Sequence, residues 1–239
     1  MGANGGQQVG RLVYTWLSRT GIVAGLLGLG LFQVAPVGAQ EVVVANFVQA
    51  TDPVPQGWEL SENEGTADVA LVFDGESQAL KLRSEVSSFS LNKELGIDLT
   101  KTPYLEWQWK ITELPTGGDF RRRATDDQAA QLFVVFNWGM FRKEAIVYIW
   151  DSTAPVGTMA RAPSPPLYPF LKIHAVVVRS GEAEKGKWIT ETRNVVEDYK
   201  RLFGNEPKNV KGIRIQINSQ HTQSQAEAYW RSVRFKAHL

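Results

Sequence analysis

The sequence predicts an all-β fold, a two-sheet antiparallel sandwich of jelly-roll type with one short helix. Three observations predict it. About ten short β-branched or aromatic segments recur every 8 to 12 residues or so, with Gly, Pro, Asn or Asp between them. Residues 104–111 (YLEWQWKI) alternate with period two, and only the segment after Asn194 carries helical spacing. Pattern alone leaves a closed barrel as the alternative, because it does not say whether the sheet edges join.

The first 39 residues stand outside this fold. Their only charges are Arg11 and Arg19, residues 20–32 (TGIVAGLLGLGLF) are too short and glycine-rich for a membrane span, and Val37-Gly38-Ala39 offers small side chains before Gln40. This reads as a cleavable export signal ending at Ala39, with an uncleaved anchor helix as the alternative. Residues 40–239 then form a single β-sandwich domain in the periplasm or outside the cell, with no membrane insertion after cleavage. That length suffices for one sizeable core. Without Arg11 and Arg19 the charges nearly cancel, so no nucleic-acid partner is expected. The chain has no cysteine, which excludes disulfides, thiolate metal sites and cysteine nucleophiles together.

In chain order, residues 41–47 (EVVVANF) read as a first strand, and Pro53, Pro55 and Gly57 force a loop that ends at Trp58. Residues 67–73 run to an Asp74-Gly75 turn, and 79–82 and 88–91 are two short strands. In 104–111, Leu105, Trp107, Trp109 and Ile111 share the buried face. Residues 132–136 (LFVVF) are apolar on both faces and predict a central strand, and 145–150 (AIVYIW) continue in that style. Five prolines between Ala154 and Pro169 predict a long irregular excursion. Strands resume at 172–179 and Trp188. Asn194 with Glu197 then forms a capping box for a helix carrying Val195, Tyr199, Leu202 and Phe203, which Gly204 and Pro207 stop. Residues 213–217 and 229–235 supply the last strands.

The candidate ligand-binding residues are Asp119, Asp126, Asp127, Trp138, Trp150, Trp188, Glu191, Arg193 and Asp198. Asp119, Asp126 and Asp127 sit beside Arg121, Arg122 and Arg123 at the entrance to the doubly buried strand, where the alternative is a solvated charged loop. Adjacent carboxylates on an extended chain point to opposite sides, so at most one of Asp126 and Asp127 enters a pocket. Glu191 and Arg193, two apart on a strand, share a face and can present a carboxylate and a guanidinium to one ligand, or pair with Asp126 or Asp127 as an internal ion network. Asn194 is a cap, and Asp198 gains from the helix dipole. Trp138, in a predicted Asn137-Trp138-Gly139 turn, is placed to stack on a sugar face, while the remaining tryptophans read mainly as core. No histidine lies at metal-ligand spacing from a second ligand and no Gly-x-Ser-x-Gly elbow occurs, so neither a metal, nor a cofactor, nor acyl transfer is expected.

Several of these segments together resemble the exported bacterial family catalogued as domain of unknown function 3047: Gly57-Trp58, residues 105–115 (LEWQWKITELP), Asp119, Asp126-Asp127-Gln128-Ala129-Ala130, Tyr148-Ile149-Trp150 and residues 188–204. The resemblance spans nearly all of the mature chain and implies a β-rich exported domain without a settled activity. Gln131 stands where the family pattern has arginine, and Asn218 and Gln220 stand where it has aspartates before Thr222. Neutral amides there remove anionic oxygens that a hard cation would need.

Fold, export and aromatic content suit a non-catalytic domain that binds carbohydrate or another cell-envelope polymer. The alternatives are a glycoside hydrolase drawing acid and base from Asp119, Asp126, Asp127 and Glu191, and a scaffold whose Pro-rich excursion offers Leu167, Tyr168 and Phe170 to a protein partner. Expression in an exporting bacterium followed by N-terminal sequencing is expected to return a mature chain starting at Gln40; retention of Met1 would favour the anchor reading.

Overall fold

Strong alternation and β-branched content over short spans favour pleated strands, and thirteen of them form in the computed structural model, which describes residues 40–138, 143–163 and 171–239. They are β1 (Glu41–Asn46), β2 (Glu59–Glu64), β3 (Asp68–Asp74), β4 (Ser77–Glu85), β5 (Ser88–Ile97), β6 (Tyr104–Glu113) and β7 (Ala130–Trp138). After these come β8 (Lys143–Asp151), β9 (Met159–Arg161), β10 (Leu171–Ser180), β11 (Ile189–Asn194), β12 (Val210–Asn218) and β13 (Gln225–Lys236). One α-helix, α1 (Val195–Phe203), interrupts them. Among the described residues no helix is long and apolar enough to cross a membrane.

The strands make two separate sheets, so the sandwich forms and the closed barrel does not. The first sheet has the order β11-β6-β13-β4-β3, with β1 added along the end of β13; the second has the order β2-β5-β12-β7-β8-β10-β9. The inward face of β6 (Leu105, Trp107, Trp109, Ile111) is completely buried, as the alternation predicts. Trp107 stacks on Tyr148 with centroids 5.2 Å apart, and Trp109 meets Trp150 at 5.9 Å and Trp230 at 5.3 Å. Aromatic rings from both sheets therefore form the middle of the core.

β7 is the central strand that its unbroken apolar run predicts. Leu132, Val134 and Phe136 face the aromatic core. Phe133 and Val135 face the other way, into a second apolar cluster with Val147, Ile149, Val177, Phe120 and Ala154. Phe120 and Ala154 come from loops, which lie over this half of the second sheet.

Four features differ from the sequence expectation. β8 and β10 pair in parallel, Ile173 opposite Ala145 and Val177 opposite Ile149, so the second sheet is mixed; both strands are buried on two faces, as parallel pairs require. β2 (ELSENE) pairs with β5 although its sequence is polar and largely exposed, since an edge strand needs only backbone partners. The predicted excursion contains β9, which pairs with β10 through Ala160 opposite Ala175. Trp138 ends β7 opposite Lys143 instead of occupying a turn; its side chain, like Gly139 and residues Leu167, Tyr168 and Phe170, lies outside the described residues.

The helix follows its sequence signals. Asn194 Oδ1 accepts from the Val196 and Glu197 N–H groups, and Gly204 closes the helix at φ 75°, the left-handed region that glycine enters without cost. Tyr199 then packs edge-on against Phe136 at 4.6 Å.

Trp109 carries the inter-sheet contact, and its indole N–H is buried without a hydrogen-bond partner among the described residues. Trp109→Ala is expected to lower stability by about 3–5 kcal/mol in urea denaturation. Trp109→Phe keeps ring packing and discards an N–H that bonds to nothing, so its cost should be markedly smaller.

Candidate functional site

On the outer face of the second sheet, away from the core, side chains of neighbouring strands fall into register. Glu59 is opposite Asn92, Asn92 opposite Arg214, and Arg214 opposite Phe133. This row crosses β2, β5, β12 and β7, and its Glu59, Asn92 and Arg214 lie in a groove of 580 Å³ lined also by Trp58, Ser61, Glu94, Val135, Lys211 and Gly212. Inward-facing Ile213, Ile215 and Ile217 set the pleat, so Arg214 and Gln216 must point outward. Asn92 is the hub: its Oδ1 accepts from Arg214 Nε at 2.6 Å, and its Nδ2 donates to Ser61 Oγ at 3.1 Å and Ser90 Oγ at 3.3 Å. The Arg214 guanidinium lies 5.6 Å over the Phe133 ring. Burial pushes it down to about 10, so it stays charged at neutral pH.

Asp119, Asp126 and Asp127 lie at the entrance to β7, as predicted, and each is committed to the local structure. Asp127 is fully buried. Its Oδ1 accepts from Asn218 Nδ2 at 2.9 Å and lies 3.2 Å from His221 Nδ1; its Oδ2 accepts from the Thr222 N–H at 2.6 Å and hydroxyl at 2.7 Å. Asn218 in turn accepts from Gln131 Nε2 at 2.5 Å. Asp119 receives Arg121 through two bonds of 2.8 Å, which hold its carboxyl below the usual range. Asp126 accepts from Gln128 at 3.2 Å and is pushed up to about 6, chiefly by burial. A Cβ on Gly118 would stand 2.4 Å from the Asp127 carbonyl, so only glycine lets the two turns approach.

The segment from Trp188 does not join that entrance. Glu191 pairs with Arg179 at 2.5 Å, and Arg193 grips Asp198 at 2.9 and 2.5 Å, while Tyr148 donates to the same carboxylate at 2.9 Å. Glu191 and Arg193 do share a face, yet they reach different partners, and neither pairs with Asp126 or Asp127 among the described residues. Asp198 does more than complement the helix dipole: with Arg193 it joins β11 to β8. A smaller depression of 430 Å³ opens beside this pair, lined by Thr192, Arg193, Asn194, Glu197, Asp198 and Arg201.

The two described tryptophans of the candidate set serve packing. Trp150 is buried in the core and donates to the Gly181 carbonyl at 3.0 Å. Trp188 donates to Asp74 at 2.5 Å, and the Arg231 guanidinium covers its ring at 3.9 Å. Of the candidate residues with described side chains, none lines the larger groove. The residues that do, Asn92 and Arg214 above all, carried one legible signal: Arg214 and Gln216 alternate with three isoleucines, which places a cation and an amide on the open face of a long strand. Asp151 was also missed. It accepts backbone N–H groups from Phe120, Thr153 and Ala154 at 2.7–2.9 Å and ties together the two loops over β7.

A family profile described as "Protein of unknown function (DUF3047)" matches residues 56–234. No curated protein matches the chain. Among solved structures, it is similar to the family 11 carbohydrate-binding module of the cellulosomal cellulase Lic26A-Cel5E of Clostridium thermocellum, with 10% identity, a TM-score of 0.46, and 84% of this chain and 96% of that one covered. It is also similar to the xyloglucanase domain of NopAA from Sinorhizobium fredii, with 10% identity, a TM-score of 0.44 and coverage of 74% and 92%. The carbohydrate recognition domain of Emp47p is a third such structure, with 14% identity, a TM-score of 0.43 and coverage of 83% and 95%.

The Asp126 shift has a defined sign. Its folded value is raised above the ordinary carboxyl value, so the folded state binds the extra proton and stability falls as pH rises from about 4 through about 6. Asp126→Asn keeps an acceptor for Gln128 and removes this fall. The variant is expected to match the parent at pH 3 and to exceed it by about 2 kcal/mol at pH 7, read from urea midpoints at both pH values.

Proposed function

The chain belongs to the DUF3047 family, and from that membership and the groove we propose that it is an exported, non-catalytic binding domain that recognises carbohydrate across β2, β5, β12 and β7. One observation carries the reading: the cross-strand row Glu59, Asn92, Arg214 in a groove of 580 Å³ that Trp58 and Val135 also line. Sugars present hydroxyl groups that both donate and accept, together with apolar C–H faces. A carboxylate, an amide and a guanidinium on adjacent strands meet the first need, and Trp58 and Val135 in the lining supply apolar surface for the second. The strand spacing of about 4.8 Å sets the pitch of these groups, and Asn92 is held in place by Ser61, Ser90 and Arg214 before any ligand arrives. Such preorganisation lowers the ordering cost of binding.

Hydrolysis is less well supported. Acid and base in a glycosidase need two carboxyl groups facing one bond, about 5 to 9.5 Å apart. Here Asp119 is held by Arg121, Glu191 by Arg179, and Asp127 by Thr222 and Asn218, so Asp126, raised to about 6, has no second uncommitted carboxyl of the set to work with. A carboxylate locked to a cation is poorly placed to exchange protons at neutral pH.

The test is a glycan array probed with the full chain and repeated with Asn92→Ala. Binding to one or more glycans is expected, weakened about tenfold by the substitution, with the variant still folding cooperatively at a modestly lower melting temperature. If the full chain binds no glycan, the proposal fails.

A further inference from the structure

The lining of the groove is uneven in charge, and the unevenness follows depth. Glu59 and Glu94 are exposed at the rim, where water and salt screen them. Lys93 also lines the groove, but its ammonium is engaged by the Val44 carbonyl at 2.8 Å and lies over the Trp58 ring. Arg214 is the cation on the floor. It is half-buried, oriented by Asn92 and set over Phe133, and Lys211 stands near it at the rim. Between Lys211 and Arg214, Gly212 presents bare backbone. A Cβ there would lie 3.0 Å from the Lys93 carbonyl, so the strands meet closely and no side chain projects between the two cations.

Resting on the carbohydrate reading above, we infer that the groove selects an acidic glycan, with a sugar carboxylate docking on the Arg214 guanidinium and Lys211 adding attraction at the rim. A charge in a partly desolvated site acts more strongly than one at an open rim, because the local dielectric is lower. Guanidinium and carboxylate also match as planar, two-pronged partners. The rim carboxylates Glu59 and Glu94 accept from sugar hydroxyls, to either side of the anionic unit.

The experiment compares carboxylated polymers (polygalacturonate, alginate and hyaluronan) with their carboxyl-reduced neutral forms, by isothermal titration calorimetry on the full chain at 50 and 500 mM NaCl. At least one carboxylated polymer is expected to bind tenfold or more tightly than its reduced form, with the gap narrowing at high salt. Arg214→Gln should remove most of that gap, because it weakens the carboxylated form several-fold more than it weakens the reduced form. Lys211→Gln, at an exposed position, should weaken acidic binding about threefold without affecting folding. Equal binding of acidic and reduced forms would overturn the inference while leaving the carbohydrate reading intact, as would a neutral array ligand binding when no carboxylated polymer does. Dextran sulfate binding as tightly as the best carboxylated polymer, indifferent to Arg214→Gln, would also overturn it, as attraction to polyanions in general. Binding of no glycan of any kind would remove both readings.

Discussion

The burial of β7 on both faces is the constraint on which the rest of this structure depends. Leu132, Val134 and Phe136 lock into the aromatic core, while Phe133 and Val135 lie in the second cluster with Phe120 and Ala154 from the loops. Apolar burial on two faces fixes register strongly, because a slip by one residue would exchange every contact at once. The loop before β7 is held in turn: Asp151 receives its Phe120 N–H, and Asp127 receives Asn218 and Thr222. The same strand divides the outer face of the second sheet, since the β8 and β10 side is apolar whereas the β12, β5 and β2 side carries Arg214, Asn92 and Ser61.

Charged groups between the sheets follow a second logic. At the β11 edge, Glu191 reaches Arg179 on β10, and Arg193 reaches Asp198 beside the Tyr148 hydroxyl. Burial and the neighbouring carboxylate raise the Tyr148 hydroxyl well above its ordinary range, and the bond to Asp198 raises Arg193. Removing one member of such a pair leaves an uncompensated charge, which costs more than the intact pair contributes. Asp119, Asp127 and Glu191, three of the four carboxylates that read as a catalytic set in the sequence, are thus occupied in holding the β7 entrance and the edge strand, and the open groove lies elsewhere.

The legible parts were those in which one strand's own pattern settles its environment. Alternation in 104–111 placed Trp107 and Trp109 inward, and the LFVVF run placed β7 at the centre. Asn194 and Gly204 bounded the helix, because a capping oxygen and a left-handed residue act within one turn. β2 and β9 escaped notice because edge strands are recruited by a neighbour's backbone and need little hydrophobic signal of their own. The parallel pairing of β8 with β10 was equally hidden: an apolar run is compatible with either direction.

The sequence by itself determined the all-β class, the inward and outward faces of the main strands, the helix and the polar entrance at Asp126 and Asp127, since each follows from side-chain period or local capping. Only the tertiary structure decided which charges meet. Asn92 and Arg214 are 122 positions apart and Glu59 is farther still, yet pairing of β2, β5 and β12 sets them side by side. Strand order and register arise from packing between segments distant along the chain, and no local pattern encodes them.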